Sequence, residues 1–549
     1  MWLWIVAAAA APPAPGEPIN LARGLAELAQ DQVLPEKVLL EVAAGHELTT
    51  VRDAFADLPG AQVEVATRGV IQGWLPVRQL RAAAALPGVR QVRRPRVASP
   101  KVVTEGLDVM FEVDWAALGL TGAGQRIAVL DVEFKGYEAL LGSELPPSVG
   151  TNFRGRWNTG EHGTAVAEII HDIAPDTQLD FYSFNDEGQF LAAVDDIIRD
   201  GHTLVSASIG FDNVWHADGT SVYAAAVDDY VAATGGIWFA AAGNEADMYW
   251  VGTLTDTNGD GWMEFGGLGD ELPIWGGYEL WVTARWDEPF GGAGIDLDLY
   301  LWDARGRECS VGAGYQEGNG DPLEETYCYT SSYTGTASLY DYSGRAAGTK
   351  AWIYSHYGVQ DAAMTGIESL TLPADAHGST SVAAIDWDTE RRAYYSSMGP
   401  TNDGRMKPDL GAPTKVTTAV WGAEEFTGTS AATPHASAVA ALVHQAVPEW
   451  TADEVRTWML ANTDDLGPPG HDTEYGAGLL RLRQPPAPGD TPGGGTTAGG
   501  VDTASPGGGG GRGGRGGGGK GGCGCVAAPS TSGWLTLVLL PVLWRRRSR

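Results

Sequence analysis

Three short strings carry residues that together could cleave an acyl bond. In FTGTSAATPH (Phe426–His435), Ser430 follows the turn residue Gly428 and opens an Ala-rich run to Ala446 that reads as a helix. A helix N-terminus presents unpaired N–H groups and the positive end of the helix dipole, which suits the oxyanion formed when a serine attacks a carbonyl. Pro434 falls in the first turn, where its missing N–H is not needed. A serine hydroxyl is a poor nucleophile at neutral pH and needs an adjacent base. EHGTAVA (Glu161–Ala167) supplies His162 at the start of a second helix, with Gly163 permitting close approach. Within reach of Ser430, His162 would take its proton and return it to a leaving amine. RIAVLD ends on Asp131, a carboxylate at the tip of an apolar strand. Beside His162 it would fix the imidazole tautomer and stabilise the imidazolium. His435 lies inside the Ser430 helix and is expected to pack there.

These residues need a scaffold, and the pattern around them supplies one. From about Asp114, apolar strands (RIAVLD, TQLDFYSF, TLVSASIG, IWFAAAGN) alternate with helical stretches (Phe190–Arg199, Val222–Ala233). Such alternation predicts an α/β fold, a mostly parallel sheet with helices on both faces. Chemistry gathers at the C-terminal strand ends of such sheets, where Asp131, Gly210 and Asn244 fall. From about Trp250 to His377 helical spacing vanishes and IDLDLYLWD alternates strictly, which predicts an inserted β-sandwich. The α/β pattern resumes at STSVAAID, with helices over Ser430–Ala446 and Thr451–Asn462. Upstream, residues 36–95 read β-α-β-β-α-β, a split, ferredoxin-like arrangement.

In their order, these strings resemble the subtilisin-like serine proteases. FTGTSAATPH is the most specific. The Asp–His–Ser order is that of the family, and YSSMGPTNDGRMKPDLGAP (Tyr395–Pro413) is similar to the string preceding its nucleophile. The resemblance covers about residues 114–482 without the insert. It implies a serine endopeptidase with Asp131, His162 and Ser430 as catalytic triad and Asn244 as oxyanion donor. It implies an extended peptide lying along Ser208 and Gly210 on one side and Ala241 and Gly243 on the other. The residues 17–100 domain would be a propeptide, acting as folding aid and intramolecular inhibitor and cut between Val97 and Trp115. The chain departs from the family after Asp131, where Val132-Glu133 replace a small turn and add a charge near the histidine. That departure keeps a second class open, a catalytically impaired surface binding protein on the same scaffold. A processing protease of narrow specificity, gated by the insert, is a third.

The domains expected are a signal peptide (1–16), the propeptide-like domain (17–100), the peptidase (114–250 and 371–483), the inserted β-sandwich (251–370), a Gly/Pro-rich linker (484–522) and a C-terminal segment (523–549). A chain of 549 residues calls for several domains. The apolar start, Met1–Ala11, is too short to span a membrane and reads as an export signal. In an exported chain Cys309 and Cys328 read as a disulfide, with two free thiols as the alternative. The tail joins Cys523 and Cys525 to an apolar run (Val526–Trp544) and an Arg cluster. It resembles a myxobacterial-type sorting signal, with a plain membrane anchor as the alternative. These features predict a secreted or cell-surface protein whose partners are protein or peptide substrates and, through the tail, membrane and sorting machinery.

The net charge is −33, and it is uneven. Of 36 basic and 69 acidic residues, seven basic and one acidic fall from Val501 onward, leaving 29 against 68 before it. That field repels phosphate and argues against a nucleic-acid partner. No cofactor is required by this chemistry. Asp256, Asn258 and Asp260 in DTNGDGWME have the alternating oxygens of a calcium loop, but Gly267 stands where the distal Glu belongs. Calcium and a polar turn held by its own side chains both remain open.

Overall fold

The computed structural model describes residues 35–93 and 103–493, apart from residues 44, 68, 331, 332, 423 and 424. The expected signal peptide, most of the linker and the C-terminal segment lie outside the described residues. Six elements make up residues 35–93: β1 (Pro35–Val42), α1 (Leu48–Ala56), β2 (Gln62–Thr67), β3 (Val70–Pro76), α2 (Leu80–Ala84) and β4 (Val89–Arg93). The strands form an antiparallel sheet in the order β2-β3-β1-β4. Val51 and Phe55, one turn apart on α1, pack with Ile71, Leu75, Leu80 and Val92.

The next segment runs α3 (Gly106–Met110), β5 (Arg126–Asp131), α4 (Tyr137–Leu140), β6 (Gly150–Phe153), α5 (His162–Ile173), β7 (Gln178–Ser183), α6 (Glu187–Arg199), β8 (Leu204–Ala207), α7 (Val222–Thr234) and β9 (Ile237–Ala241). Nine strands follow, before the α/β order resumes. Of these, β10 (Tyr249–Thr253), β18 (Lys350–Ser355), β13 (Glu279–Trp286) and β16 (Leu323–Tyr329) form one antiparallel sheet. β11 (Trp262–Met263), β17 (Thr334–Asp341), β14 (Leu297–Asp303) and β15 (Glu308–Gly312) form another, with β12 (Leu272–Trp275) also paired to β17. Alternation on β14 buries Leu297, Leu299 and Leu301 in a core that both sheets share with Val282 and Trp286. A disulfide joins Cys309 on β15 to Cys328 on β16, with Cα atoms 5.9 Å apart.

The chain then adds β19 (Ser379–Asp386), β20 (Arg391–Arg392), β21 (Leu410–Thr414), α8 (Thr429–Ala446), α9 (Ala452–Ala461), β22 (Thr463–Asp464) and β23 (Leu479–Leu480). The main sheet runs β22-β23-β21-β19-β9-β8-β5-β7-β6, with β20 on β19. Its pairs are parallel except β22–β23 and β19–β20. Both faces are covered, so the central strands β5, β8, β9 and β19 are buried along nearly their whole length rather than on alternate residues. On β5, Ile127 and Val129 pack against α5 and α8, while Ala128 and Leu130 pack against α6 and α7. Among the described residues no helix is long and apolar enough to cross a membrane.

Candidate active site

The parallel order brings the ends of β5, β8 and β9 together, and α5 and α8 start above them. Asp131, the last residue of β5, is fully buried. Its Oδ1 accepts the Val132 N–H at 2.8 Å, and its Oδ2 lies 2.8 Å from His162 Nδ1. His162 opens α5. Gly163 behind it must lack a side chain, since a Cβ there would stand 2.7 Å from Asp131 Cβ, the Glu133 carbonyl and the Phe134 ring. The His162 ring meets Phe426 edge-on at 5.3 Å, and its side chain remains 26% exposed. Burial alone would lower its pKa. The Asp131 charge, the hydrogen bond to Asp131 and the Glu133 charge outweigh burial and raise it above 6.5.

Ser430 is the second residue of α8 and is 8% exposed. Its Oγ donates to the Ser208 carbonyl at 3.3 Å, and Ser208 Oγ donates to the Ser430 carbonyl at 3.0 Å. The serine hydroxyl therefore points to the β8 extension, and must turn from it before passing its proton to a base. Asn244 Oδ1 accepts the Thr429 N–H at 2.8 Å and the Thr429 hydroxyl at 3.1 Å. With its oxygen so engaged, the amide Nδ2 is left as the donor, 3.2 Å from where a Gly428 side chain would begin. Gly243 N–H donates to Thr429 Oγ1 at 3.2 Å. Ala241 ends β9, buried, and Gly210 lies exposed beyond β8.

Several residues that sequence reasoning did not single out complete this region. Tyr395 Oη accepts the Gly428 N–H at 2.8 Å, and Ser397 Oγ accepts the Glu245 N–H at 3.0 Å. The buried Glu168 on α5 accepts the N–H groups of Ala419 (2.6 Å) and Val420 (3.1 Å), tying the His162 helix to the strand end before Ser430. Burial pushes its carboxyl up to about 8 despite those two bonds. Tyr395 and Ser397 fall inside the string Tyr395–Pro413, whereas no local signal marks Glu168. Their contacts form because α5, β9, β19 and α8 are neighbours in space. His435, by contrast, is fully buried in α8 with Nε2 2.9 Å from Thr104 Oγ1.

Asp256, Asn258 and Asp260 lie near the start of the insert, in the turn between β10 and β11. Asp256 Oδ1 accepts N–H groups from Gly259 (2.7 Å) and Asp260 (3.2 Å), and its Oδ2 accepts that of Gly261 (3.2 Å). Asn258 Oδ1 accepts the Asp260 N–H at 3.0 Å, and Asp260 Oδ1 that of Trp262 at 2.9 Å. Backbone N–H groups thus engage each of these side chains, the bonding of a polar turn held by its own residues. Among the described residues no group of three or more His, Cys, Asp or Glu is placed to hold a metal.

A model of the subtilase family matches residues 346–478. That stretch contains Ser430 and stops short of Asp131, His162 and Asn244, which lie upstream. The chain is 33% identical over 116 residues to alkaline elastase YaB of Bacillus sp. (strain YaB), covering 21% of this chain and 29% of that protein. It is 34% identical over 139 residues to serine protease AprX of Bacillus subtilis (strain 168), covering 22% of this chain and 30% of that protein. The chain thus spans less than a third of the curated relatives it matches. The CspB protease structure of Clostridium perfringens aligns with a TM-score of 0.49 at 15% identity, over 67% of this chain and 93% of that one.

Proposed function

We propose that the chain is a serine endopeptidase acting through an acyl-enzyme on Ser430. The observation that carries this reading is the 2.8 Å contact between His162 Nδ1 and the buried Asp131, at strand and helix ends beside the segment that bears Ser430. Ser430 Oγ attacks the peptide carbonyl. His162 takes its proton and hands it to the departing amine, while Asp131 holds the ring and its positive charge. The Asn244 amide and the N–H groups at the start of α8 receive the oxyanion. Substrate adds as an extended strand along Ser208 and Gly210, with Ala241 and Gly243 opposite. The N-terminal domain serves as propeptide and inhibitor, and the mature protein works outside the cytoplasm, secreted or held at the cell surface by its tail.

One observation favours the alternative of an impaired surface binding protein. Ser430 Oγ is bonded to the Ser208 carbonyl and not to His162. Hydrolysis of casein by the full chain separates the two readings. The protease reading predicts turnover, with loss of an N-terminal fragment by a cut between Val97 and Trp115, and neither in Ser430→Ala. Folded wild-type chain that releases no peptide favours the binding protein.

A further inference from the structure

The sheet that contains β14 turns one side to the core of the two-sheet unit and the other outward. Leu297, Leu299 and Leu301 point into the core, so Tyr300 and Trp302 point out with Asp298. Tyr340 of β17 sits opposite both Asp298 and Trp262 of β11, which brings rings from three strands onto the same side. Trp262 lies 5.0 Å from Tyr300 and from Tyr340, and 6.1 Å from Trp302. Tyr300 and Trp302 are 6.0 Å apart with planes 14° from parallel, and Tyr340 is 4.7 Å from Tyr342. None of these rings is fully buried, and Tyr342 is 57% exposed. Hydrogen bonds fix them: Trp302 Nε1 donates to Ser338 Oγ at 3.1 Å, and the Tyr300 and Tyr342 hydroxyls meet at 3.0 Å. The platform is therefore formed in advance and loses little side-chain freedom when something lies on it.

Tyr342 is also one wall of a cavity of about 360 Å³, whose polar lining includes Asp296, Gln316, Glu317, Ser343 and Arg345. Gln316 is 4% exposed. Its N–H donates to Asp296 Oδ1 at 3.1 Å, which holds the two residues together. Its Nε2 donates to Glu324 Oε1 at 2.8 Å, which settles which end of the amide is which. The other end, Oε1, is buried and has no partner. A buried acceptor left unbonded is costly, and one on a residue lining a cavity marks a place for a donor from a ligand.

An aromatic platform beside a cavity of mixed donors and acceptors suits one class of ligand. A pyranose ring has an apolar face of C–H groups that lies flat on an aromatic ring, and hydroxyls at its rim that both donate and accept. Asp296, Glu317 and Gln316 Oε1 supply acceptors for those hydroxyls, and Arg345 supplies donors. An added peptide strand would need unpaired backbone groups, which the face of a sheet does not offer. Charge excludes an anionic polymer. Asp296, Asp298 and Glu317 outnumber Arg345 here, and burial together with the Asp296 charge raises the Asp298 carboxyl above its ordinary range.

We infer that this face of the two-sheet unit binds a neutral polysaccharide, with sugar rings stacked along Trp262, Tyr300, Trp302 and Tyr340 and one sugar entering beside Tyr342 to bond Gln316. The site uses none of Asp131, His162, Ser430 or Asn244, so it binds whether or not the chain cleaves peptides. On the protease reading it holds the enzyme on a glycan matrix near its substrates. On the binding-protein reading it is the ligand site itself.

The test titrates the full chain calorimetrically with cellohexaose, chitohexaose and maltohexaose, and with hexagalacturonate and decaproline as contrasts. At least one neutral hexasaccharide is expected to bind saturably, and neither contrast is. Trp302→Ala and Tyr342→Ala should each weaken that binding by roughly tenfold or more, the scale of losing one stacked ring. Tyr342 is the more exposed of the two, so its truncation keeps the test valid if Trp302→Ala unfolds, as thermal melts will show. Tyr278→Ala, 86% exposed beside β13 of the other sheet, should leave binding unchanged. Failure of all three neutral sugars to bind folded chain overturns the inference, as does binding that is unaltered in folded Tyr342→Ala. Decaproline binding that is lost in Tyr342→Ala assigns the platform to a peptide and overturns it too.

Discussion

At the scale of single residues, the charge state of His162 governs the proposed chemistry. It must be neutral to accept the Ser430 proton, and Asp131 and Glu133 hold its pKa above 6.5. Activity should therefore fall as pH drops through that raised value. Glu133→Gln removes one of the two negative charges and should move the acid limb of the kcat/KM profile to lower pH, with the alkaline side unchanged. The stability sign is opposite. A raised histidine pKa stabilises the fold fully below the unfolded value near 6.5, and that contribution is lost as pH rises through the folded value. Asp131→Asn leaves the histidine ring present but in the wrong tautomer, and should cost about 10⁴-fold in kcat, measured on a peptide substrate. The strings around Asp131, His162 and Ser430 were legible because each sits where local pattern changes, at a strand tip or a helix start. Glu168 was not. Its bonds to Ala419 and Val420 join segments up to 252 residues apart in sequence, packed together by a sheet order that no local period encodes.

At the scale of elements, the main sheet is fastened by a buried polar knot. Asp409, just before β21, is 4% exposed. Its Oδ2 accepts Ser381 N–H (2.7 Å), Ser381 Oγ (2.9 Å) and Lys407 Nζ (2.5 Å), and its Oδ1 accepts Arg456 of α9 (2.6 Å). It joins β19, β21 and α9. Burial works against its ionised form, but Lys407 and Arg456 hold its carboxyl well below the ordinary range. Asp409→Ala strands a buried Lys407 and should cost roughly 3–5 kcal/mol in denaturant unfolding. Because the folded pKa is depressed, the stabilisation is present above the unfolded carboxylate value near 3.9 and fades as pH falls below it. Element type was readable where composition forced it: RIAVLD is apolar on both faces because helices cover both. The short strands β6, β20 and β22 were not readable, since two to four residues set no period and their pairing comes from neighbours.

At the scale of the whole molecule, the structure sets an α/β sheet with two separate apolar cores beside a two-sheet unit with a core of its own. That unit is tied to the sheet region by Asn213, whose Nδ2 donates to the Thr283 carbonyl (3.0 Å) and the Trp352 carbonyl (3.2 Å). The Cys309–Cys328 disulfide closes a 19-residue separation within it. Cys309→Ser/Cys328→Ser should therefore destabilise the two-sheet unit by about 3 kcal/mol, seen in thermal melts, while Asp131, His162 and Ser430 stay in place. Alternation in IDLDLYLWD showed a strand, and its neighbour β15 follows directly, but its other partner β17 starts at Thr334, beyond the reach of a local reading. The most direct test of the central claim is to treat the folded full chain with a fluorophosphonate and locate the adduct by peptide mass spectrometry. The account predicts one adduct, on Ser430, absent in Ser430→Ala and formed far more slowly in His162→Ala. An unmodified Ser430 in folded wild-type protein would contradict it.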